Sequence, residues 1–428
     1  MELDKVQNEI VHSTAKNIIV SAGAGSGKTR VLTERVKYLI ESGVSPSNIV
    51  CITFTNKAAD EMKERLFEVE DIGDAFIGTI HSFANRILRA SGKKYDLLTA
   101  EKEIEIIKNL ISKYARYTTA EDYMKYLDIN RQIKLGLKSK YHLMKALSDS
   151  IIGEIEALYG RGSLVDRVRY KENLDTVCKR DNVITFDDLL VDCTEYFKKI
   201  KGKVEYLLVD EVQDIGMNEY EFIMALNAEN LFFVGDDFQS IYSFKGGDLR
   251  IFLKLMGDPT WNKYHLAANY RNATNILSEA VKVIKQADLP EKEVYPVRTD
   301  AGVFGVDSKD MISNYLRLIK KSGNYKDWFI LARTNKEVYE LTQLCKKVGL
   351  PCATFKQAEL SREETKKIMS ADSVKILTIH TSKGLENKNV IVYGNFQLVQ
   401  PSYRRNPEER RILYVAMTRA MDKLIVLN

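Results

Sequence analysis

The stretch Asn17-Ile18-Ile19-Val20-Ser21-Ala22-Gly23-Ala24-Gly25-Ser26-Gly27-Lys28-Thr29-Arg30 runs an apolar strand signal into a glycine-rich turn and then into KTRVLTERVKYLIESG, a helical pattern. Strand, turn and helix in that order, with G-x-x-x-x-G-K-[ST] at the turn, make a phosphate-binding loop. Glycines let backbone N–H groups curl around phosphate oxygens, and the helix N-terminus adds partial positive charge. Gly23, Ala24, Gly25, Ser26 and Gly27 are the cradle, Lys28 reaches the outer phosphates, and Thr29 ligates magnesium.

Outward from this loop the alternation continues. NIVCITFT reads as a strand and NKAADEMKERL as a helix, so the chain begins with βαβ units and a parallel sheet. From about Arg89 to Arg180 the pattern changes to helical spacing, as in EKEIEIIKNLISKYARY, and reads as a helical insertion. Strand signals return at EYLLVDEVQD and LFFVGDD. They recur at DWFILART, SVKILTIHT and NVIVYG, before a terminal helix and strand in PEERRILYVAMTRAMDKLIVLN. The expected class is α/β, with two lobes bracketing one helical insert.

Bulk properties bound the answer loosely. The 428 residues carry 64 Lys and Arg against 59 Asp and Glu, a formal charge of +5, which permits a polyanionic partner without demanding one. The five cysteines, Cys51, Cys178, Cys193, Cys345 and Cys352, are scattered and never spaced C-x-x-C, which predicts free thiols in a reducing compartment. The start MELDKVQNEIVHSTAKN lacks the apolar core of a secretory signal, and no apolar run nears the ~20 residues that span a bilayer. A cytoplasmic protein without membrane contact is expected.

Tyr206-Leu207-Leu208-Val209 ends in Asp210-Glu211, so a buried strand delivers two adjacent carboxylates to the sheet edge where α/β folds bind ligands. One carboxylate, Asp210, is suited to hold Mg²⁺. The other, Glu211, is suited to orient and deprotonate an attacking water, a division of labour that phosphoanhydride hydrolysis requires.

At this point the chain resembles the UvrD/Rep/PcrA family of superfamily-one DNA helicases, through both α/β lobes and in the family's motif order. The resemblance implies two RecA-like P-loop domains with parallel sheets. The first would comprise residues 1–88 and 183–264, the helical insertion 89–182, and the second domain 265–428. It implies ATP and Mg²⁺ as cofactors, with Gln7 reading adenine, Arg30 near the nucleotide, Tyr270 stacking on the base and Glu386 accepting from the ribose. Gln239, in VGDDFQSIYSFKGGD, would touch the γ-phosphate. Arg271, in LAANYRNATNIL, and Arg419, in YVAMTRAMDKL on the last helix, would be the two arginine fingers.

The resemblance also places single-stranded DNA on Phe54, Asn56 and His81, from ITFTNKAADEMKER and GTIHSFANRIL, and on Tyr242 and Phe244. Thr378, His380 and Ser382, from TIHTSKGLE, bear on DNA or coupling. Aromatics at such places stack bases, and short polar side chains hold phosphate and sugar without reading sequence. Three departures stand out. Lys245 replaces the family's usual arginine and loses its planar fork, Phe244 stands for a usual tryptophan, and Glu219 for a frequent glutamine.

Relatives carry a large accessory subdomain before the T-x-H motif, yet here only residues 356–372 separate VGLPCATF from SVKILTIHT. That subdomain is expected to be absent. The insertion holds nineteen Lys and Arg against fourteen Asp and Glu between Arg89 and Asn182. Its most basic stretch contains Arg131, Lys134, Lys138, Lys140, Tyr141, His142 and Lys145, a phosphate track or a solvated helix face. The expected activity is ATP-driven 3′-to-5′ movement on single-stranded or tailed duplex DNA, the polarity being what the resemblance implies. The alternative is a DNA-stimulated ATPase subunit that serves a protein partner, such as a nuclease or a repair or recombination factor.

Overall fold

Apolar runs without alternation form strands buried on both faces, and that is the state of β1 (Asn17–Ala22) and β2 (Ile49–Thr53) in the computed structural model, with the half-buried β3 (Phe76–Thr79) at the sheet edge. The structure describes residues 2–67, 72–99, 144–158, 176–243, 246–355, 362–394 and 407–428, with isolated positions between 101 and 129. Helix α1 (Lys5–His12) precedes β1. It opens on a capping box in which the Asp4 side chain accepts from Gln7 N and the Gln7 side chain accepts from Asp4 N. Helices α2 (Lys28–Glu41), α3 (Asn56–Phe67) and α4 (Ile80–Ala90) follow β1, β2 and β3 in turn.

The chain divides into two compact units, one of residues 1–83 and 197–428, the other of residues 84–196. In the smaller unit β4 (Asp96–Leu97) and β5 (Val183–Ile184) pair in parallel, and Ile106, Cys178 and Val183 form a small core. The helix Asp149–Leu158 lies in the same unit. The basic residues Arg131, Lys134, Lys138, Lys140, Tyr141 and His142 lie outside the described residues.

In the larger unit β6 (Tyr206–Val209), β7 (Asn230–Gly235) and β8 (Asn262–Leu266) complete a six-stranded parallel sheet in the order β3-β2-β6-β7-β1-β8. A short pair, β9 (Ala268–Asn269) with β10 (Tyr295–Pro296), leads to a second six-stranded sheet. It consists of β11 (Val303–Asp307), β12 (Trp328–Ala332), β13 (Cys352–Ala353), β14 (Val374–Thr378), β15 (Asn387–Tyr393) and β16 (Ala420–Leu427), in the order β11-β16-β15-β12-β14-β13. Every recorded strand pair is parallel. Two RecA-like α/β lobes result.

The edge strands β8 and β11 carry no sequence signal of the kind that marks the central ones. NKYHL and VFGVD leave side chains in solvent and so lack a continuous apolar run. Between the two sheets one apolar cluster is continuous: Ala24, Phe238 and Ile241 from the first lobe pack with Ile276, Leu377, Ile412 and Tyr414 from the second. The loops at the carboxyl ends of β1, β6 and β7 therefore face the second lobe across a largely buried seam. Among the described residues, no helix is long and apolar enough to cross a membrane, and all five cysteines are free.

Leu331 sits fully buried in β12, at the centre of the second sheet. Leu331→Ala removes packed methylenes and leaves a cavity, so an expected loss of about 2–5 kcal/mol should appear in urea denaturation of the full chain.

Candidate active site between the two sheets

The loop that follows β1 turns through two left-handed glycines, Gly25 at φ 63° and Gly27 at φ 83°. A side chain at Gly25 would place its Cβ 2.7 Å from the Cβ of Arg271, and one at Gly27 would lie 3.0 Å from Gln7 Nε2. Only glycine fits both the backbone and the space. Gly27 caps α2 without a side-chain hydrogen bond, so the first N–H groups of a 14-residue helix point out of the loop as an anion cradle. Ser26 Oγ donates to Gly23 O at 2.8 Å and tightens the turn.

Around this cradle the structure gathers the residues expected near a base. Gln7 Nε2 donates to Ser26 O at 3.1 Å. The Tyr270 hydroxyl donates to Asp4 Oδ2 at 2.5 Å, and Tyr270 N donates to Gly25 O at 3.0 Å. Burial and the bond to Asp4 push the Tyr270 hydroxyl up to about 12. Arg30 follows Thr29 in the first turn of α2. Thus α1, the loop and the Tyr270 segment form one connected group, and the Asp4–Gln7 capping box holds the glutamine in place.

At the end of β6, Asp210 is buried and Glu211 adopts φ 54°, a left-handed conformation that costs a non-glycine residue of order 1–3 kcal/mol. The turn aims two consecutive carboxylates toward the seam. Burial and the neighbouring Glu211 push Asp210 up to about 7, against the pull of Lys28. Burial also penalises Glu211, but Lys383 and Lys28 outweigh it and hold that carboxyl below its ordinary range. Glu211 is thus ionised at neutral pH, as a general base must be. Gln213 Nε2 donates to Glu211 and, at 3.0 Å, to Asp214, while Gln213 Oε1 accepts from Asp236 N at 2.7 Å.

At the end of β7, Asp236 is fully buried and charged. Lys28 Nζ lies 3.5 Å from Asp236 Oδ2, Lys292 Nζ lies 2.6 Å from Oδ1, and Gln239 Nε2 donates to Oδ2. Burial opposes the charge, yet Lys292 and Lys28 pull this carboxyl down to about 2. Gln239 in turn accepts from Arg419 Nη2 at 2.9 Å. Arg419 also donates to Val415 O at 2.9 Å and Leu385 O at 3.2 Å. Burial and Arg271 lower Arg419 to about 9, which leaves it charged at neutral pH.

One placement corrects the sequence reading. Arg419 is not borne by the last helix, which runs Pro407–Met417. It lies in the link before β16, just after Thr418, whose hydroxyl donates back to Tyr414 O. Arg271 pairs with Glu386 and donates to Thr418 O at 3.3 Å, so the residue expected on a ribose is held by the first arginine. Glu219 caps its own helix, accepting from Gly216 N at 2.8 Å.

Of the residues expected on DNA, three converge. Phe54, one residue beyond β2, stacks on Tyr242 with centroids 5.2 Å apart and planes at 19°. The Tyr242 hydroxyl donates to His380 O at 3.3 Å, and the two rings lie 6.2 Å apart. Thr378 Oγ1 accepts from Thr381 N and caps a single turn, Ile379–Ser382. Ser382 is buried, donating to Ile379 O. Asn56 and His81 begin α3 and α4, beyond the adjacent strands β2 and β3. Phe244 and Lys245 lie outside the described residues.

Sequence reasoning did not single out the residues that join these groups. Lys383 pairs with Asp214 and with Glu211 at 3.7 Å, donates to Gln239 O at 2.9 Å, and lies 4.9 Å from the Tyr242 ring centre. Its signal was present, inside the T-x-H-x-x-K-G-L-E stretch. Arg411 Nε donates to Ser240 O at 2.6 Å, and Lys292 joins Asp236 and Asp237. Neither had a motif around it.

The UvrD/REP helicase N-terminal domain matches residues 3–260, and the UvrD-like helicase C-terminal domain matches residues 355–428. The chain belongs to the UvrD/REP helicase family. It is 28% identical over 450 residues to a Mycoplasma pneumoniae protein called probable DNA helicase, covering 96% of this chain and 80% of that one. To the ATP-dependent DNA helicase PcrA of Staphylococcus aureus it is 30% identical over 395 residues, covering 85% of this chain and 52% of the relative. A probable DNA helicase II homolog of Mycoplasma capricolum is 31% identical over 370 residues, 78% of this chain and 49% of its own. The chain spans about half the length of the latter two.

Asp236 offers a test of the charge balance. Its folded value, about 2, lies below the ~4 of a free aspartate, so its contribution is complete above about pH 4 and is lost as pH falls through about 2. Asp236→Asn is expected to cost about 3–5 kcal/mol at neutral pH. Urea midpoints of variant and wild type should draw together as pH falls from about 4 towards about 2.

Proposed function

We propose that this chain is an ATP-driven motor on single-stranded DNA, hydrolysing ATP in the seam between its two sheets and moving 3′ to 5′. Residues 1–88 and 183–264 would form the first RecA-like domain, 89–182 the insertion and 265–428 the second domain. Family membership and the three relatives called helicases support an ATP-dependent DNA helicase as the broad class. The polarity rests on the resemblance. The observation that carries the coupling is Lys383: one buried ammonium touches the base Glu211, the backbone of Gln239 and the ring of Tyr242.

In this reading Gly23, Ala24, Gly25, Ser26, Gly27 and Lys28 hold the phosphates, and Thr29 with Asp210 holds Mg²⁺. The fit rests on the two left-handed glycines and the uncapped α2, which leave space and N–H donors for an anion. Gln7, Arg30, Tyr270 and Glu386 bound the base and ribose side. Bound Mg·ATP supplies the phosphoanhydride whose cleavage drives movement. Glu211, ionised at rest, takes the proton of the attacking water. Arg271 and Arg419 come from the second lobe, and Gln239 ties Arg419 to Asp236 and so to Lys28. A change of charge at the phosphate loop therefore pulls on the second lobe through hydrogen-bonded side chains.

The Phe54–Tyr242 stack has the spacing at which a base could slide against either ring, and His380 borders it. Asn56, His81, Phe244 and Thr378 complete the proposed DNA track. One observation favours a second reading, in which the chain is a DNA-stimulated ATPase subunit serving a partner protein. Between Ala353 and Val374 the described chain carries only the nine-residue helix Arg362–Ser370. Strand displacement by the purified chain on a tailed duplex distinguishes the two.

The deciding experiment is steady-state ATP hydrolysis with and without single-stranded DNA. Stimulation by DNA is expected in the wild type, with a fall of about 10²–10⁴ in kcat for Glu211→Gln. Turnover indifferent to DNA would reject the motor. Tyr242→Ala should weaken single-stranded DNA binding by about 1–3 kcal/mol, read by fluorescence anisotropy, while leaving ATP hydrolysis without DNA within about threefold of wild type.

A further inference from the structure

Two lysines face Asp236, and the structure holds them very differently. Lys292 uses all three of its N–H donors, at 2.9 Å to Ala22 O, 2.6 Å to Asp236 Oδ1 and 2.5 Å to Asp237 Oδ1. Its ammonium also lies 4.1 Å from the centre of the Phe238 ring, and its side chain is 7% exposed. Among the described residues Lys28 makes two hydrogen-bond contacts, both at 3.5 Å, to Gly23 O and Asp236 Oδ2. That distance is beyond the 2.7–3.2 Å of an ordinary N–H···O bond. Lys292 is therefore locked onto the carboxylate, and Lys28 is loosely parked beside it.

The difference has a consequence for binding. A buried carboxylate left without a cation is costly, so a lysine that is its sole counter-charge does not leave it readily. We propose that Lys292 is a positioning residue of the nucleotide site, which carries the charge of Asp236 so that Lys28 is free to leave that carboxylate for an incoming phosphate. The inference rests on the proposed ATP site and adds to it a residue from outside the loop. Lys292 meets the first strand at Ala22 O, the residue that precedes the cradle. It acts through Asp236.

Asp237 makes the test clean. Lys292→Met alone would bury uncompensated negative charge, whereas Lys292→Met/Asp237→Asn removes one positive and one negative charge and leaves Asp236 with Lys28 alone. Calorimetric titration with ADP and with a non-hydrolysable ATP analogue is expected to show Kd raised about tenfold or more in this double variant. Steady-state KM for ATP should rise in parallel, while kcat at saturation stays within about threefold. Adding Asp236→Asn to the double variant removes the trap, and Kd should return to within about twofold of Asp236→Asn by itself.

An unchanged Kd in the double variant, or a loss confined to kcat, would overturn the proposal. So would a double variant that fails to fold, which would make Lys292 a structural support. Wild-type protein that binds neither nucleotide would instead reject the ATP site on which the proposal rests.

Discussion

Carboxylates and cations balanced in a buried seam are the constraint on which the rest of this structure depends. Asp210, Glu211 and Asp214 beyond β6, and Asp236 and Asp237 beyond β7, crowd the carboxyl edge of one parallel sheet. The first lobe supplies Lys28 against them. The remaining cations, Lys292, Lys383 and Arg419, arrive from the chain beyond β8, and each is almost wholly buried. Removing either side would leave charge in a low-dielectric interior, which is why the two lobes meet on this network as well as on their shared apolar cluster.

The same balance makes the site responsive. Asp236 is held at about 2 and Asp214 is pushed by burial up to about 6, although Lys383 pairs with it. Neighbouring carboxylates thus differ in how readily they give up charge. Gln239 joins this network to Arg419, and Lys383 joins it to Tyr242. Such a chain of buried polar contacts can couple distant groups, because buried contacts switch between discrete arrangements where solvated ones relax gradually.

Much of this site was legible before any coordinates. Gly23 to Thr29 declared themselves by a motif whose context, strand before and helix after, was also readable. Asp210 and Glu211 did so by ending an apolar run. Phe54, Tyr242 and His380 were picked out by resemblance, and the structure brings them together. Lys292 was not legible. It sits among charged residues in EKEVYPVR, a stretch that reads as solvated loop, and nothing within several residues indicates that its ammonium is buried. Arg419 was legible as a residue but not in its setting, because the helix ends two residues earlier than its periodicity suggested.

What the sequence by itself determined was local: which segments become strands, where each glycine must turn, and which carboxylates end a strand. These follow from neighbours within a few residues, through periodicity, backbone freedom and propensity. What only the tertiary structure decided was partnership. Asp236 lies 56 residues from Lys292, and Asp214 lies 169 from Lys383. No local rule pairs them, because the pairing is set by burial of the seam: once water is excluded, each carboxylate must find whichever cation the packing of the two sheets brings within reach.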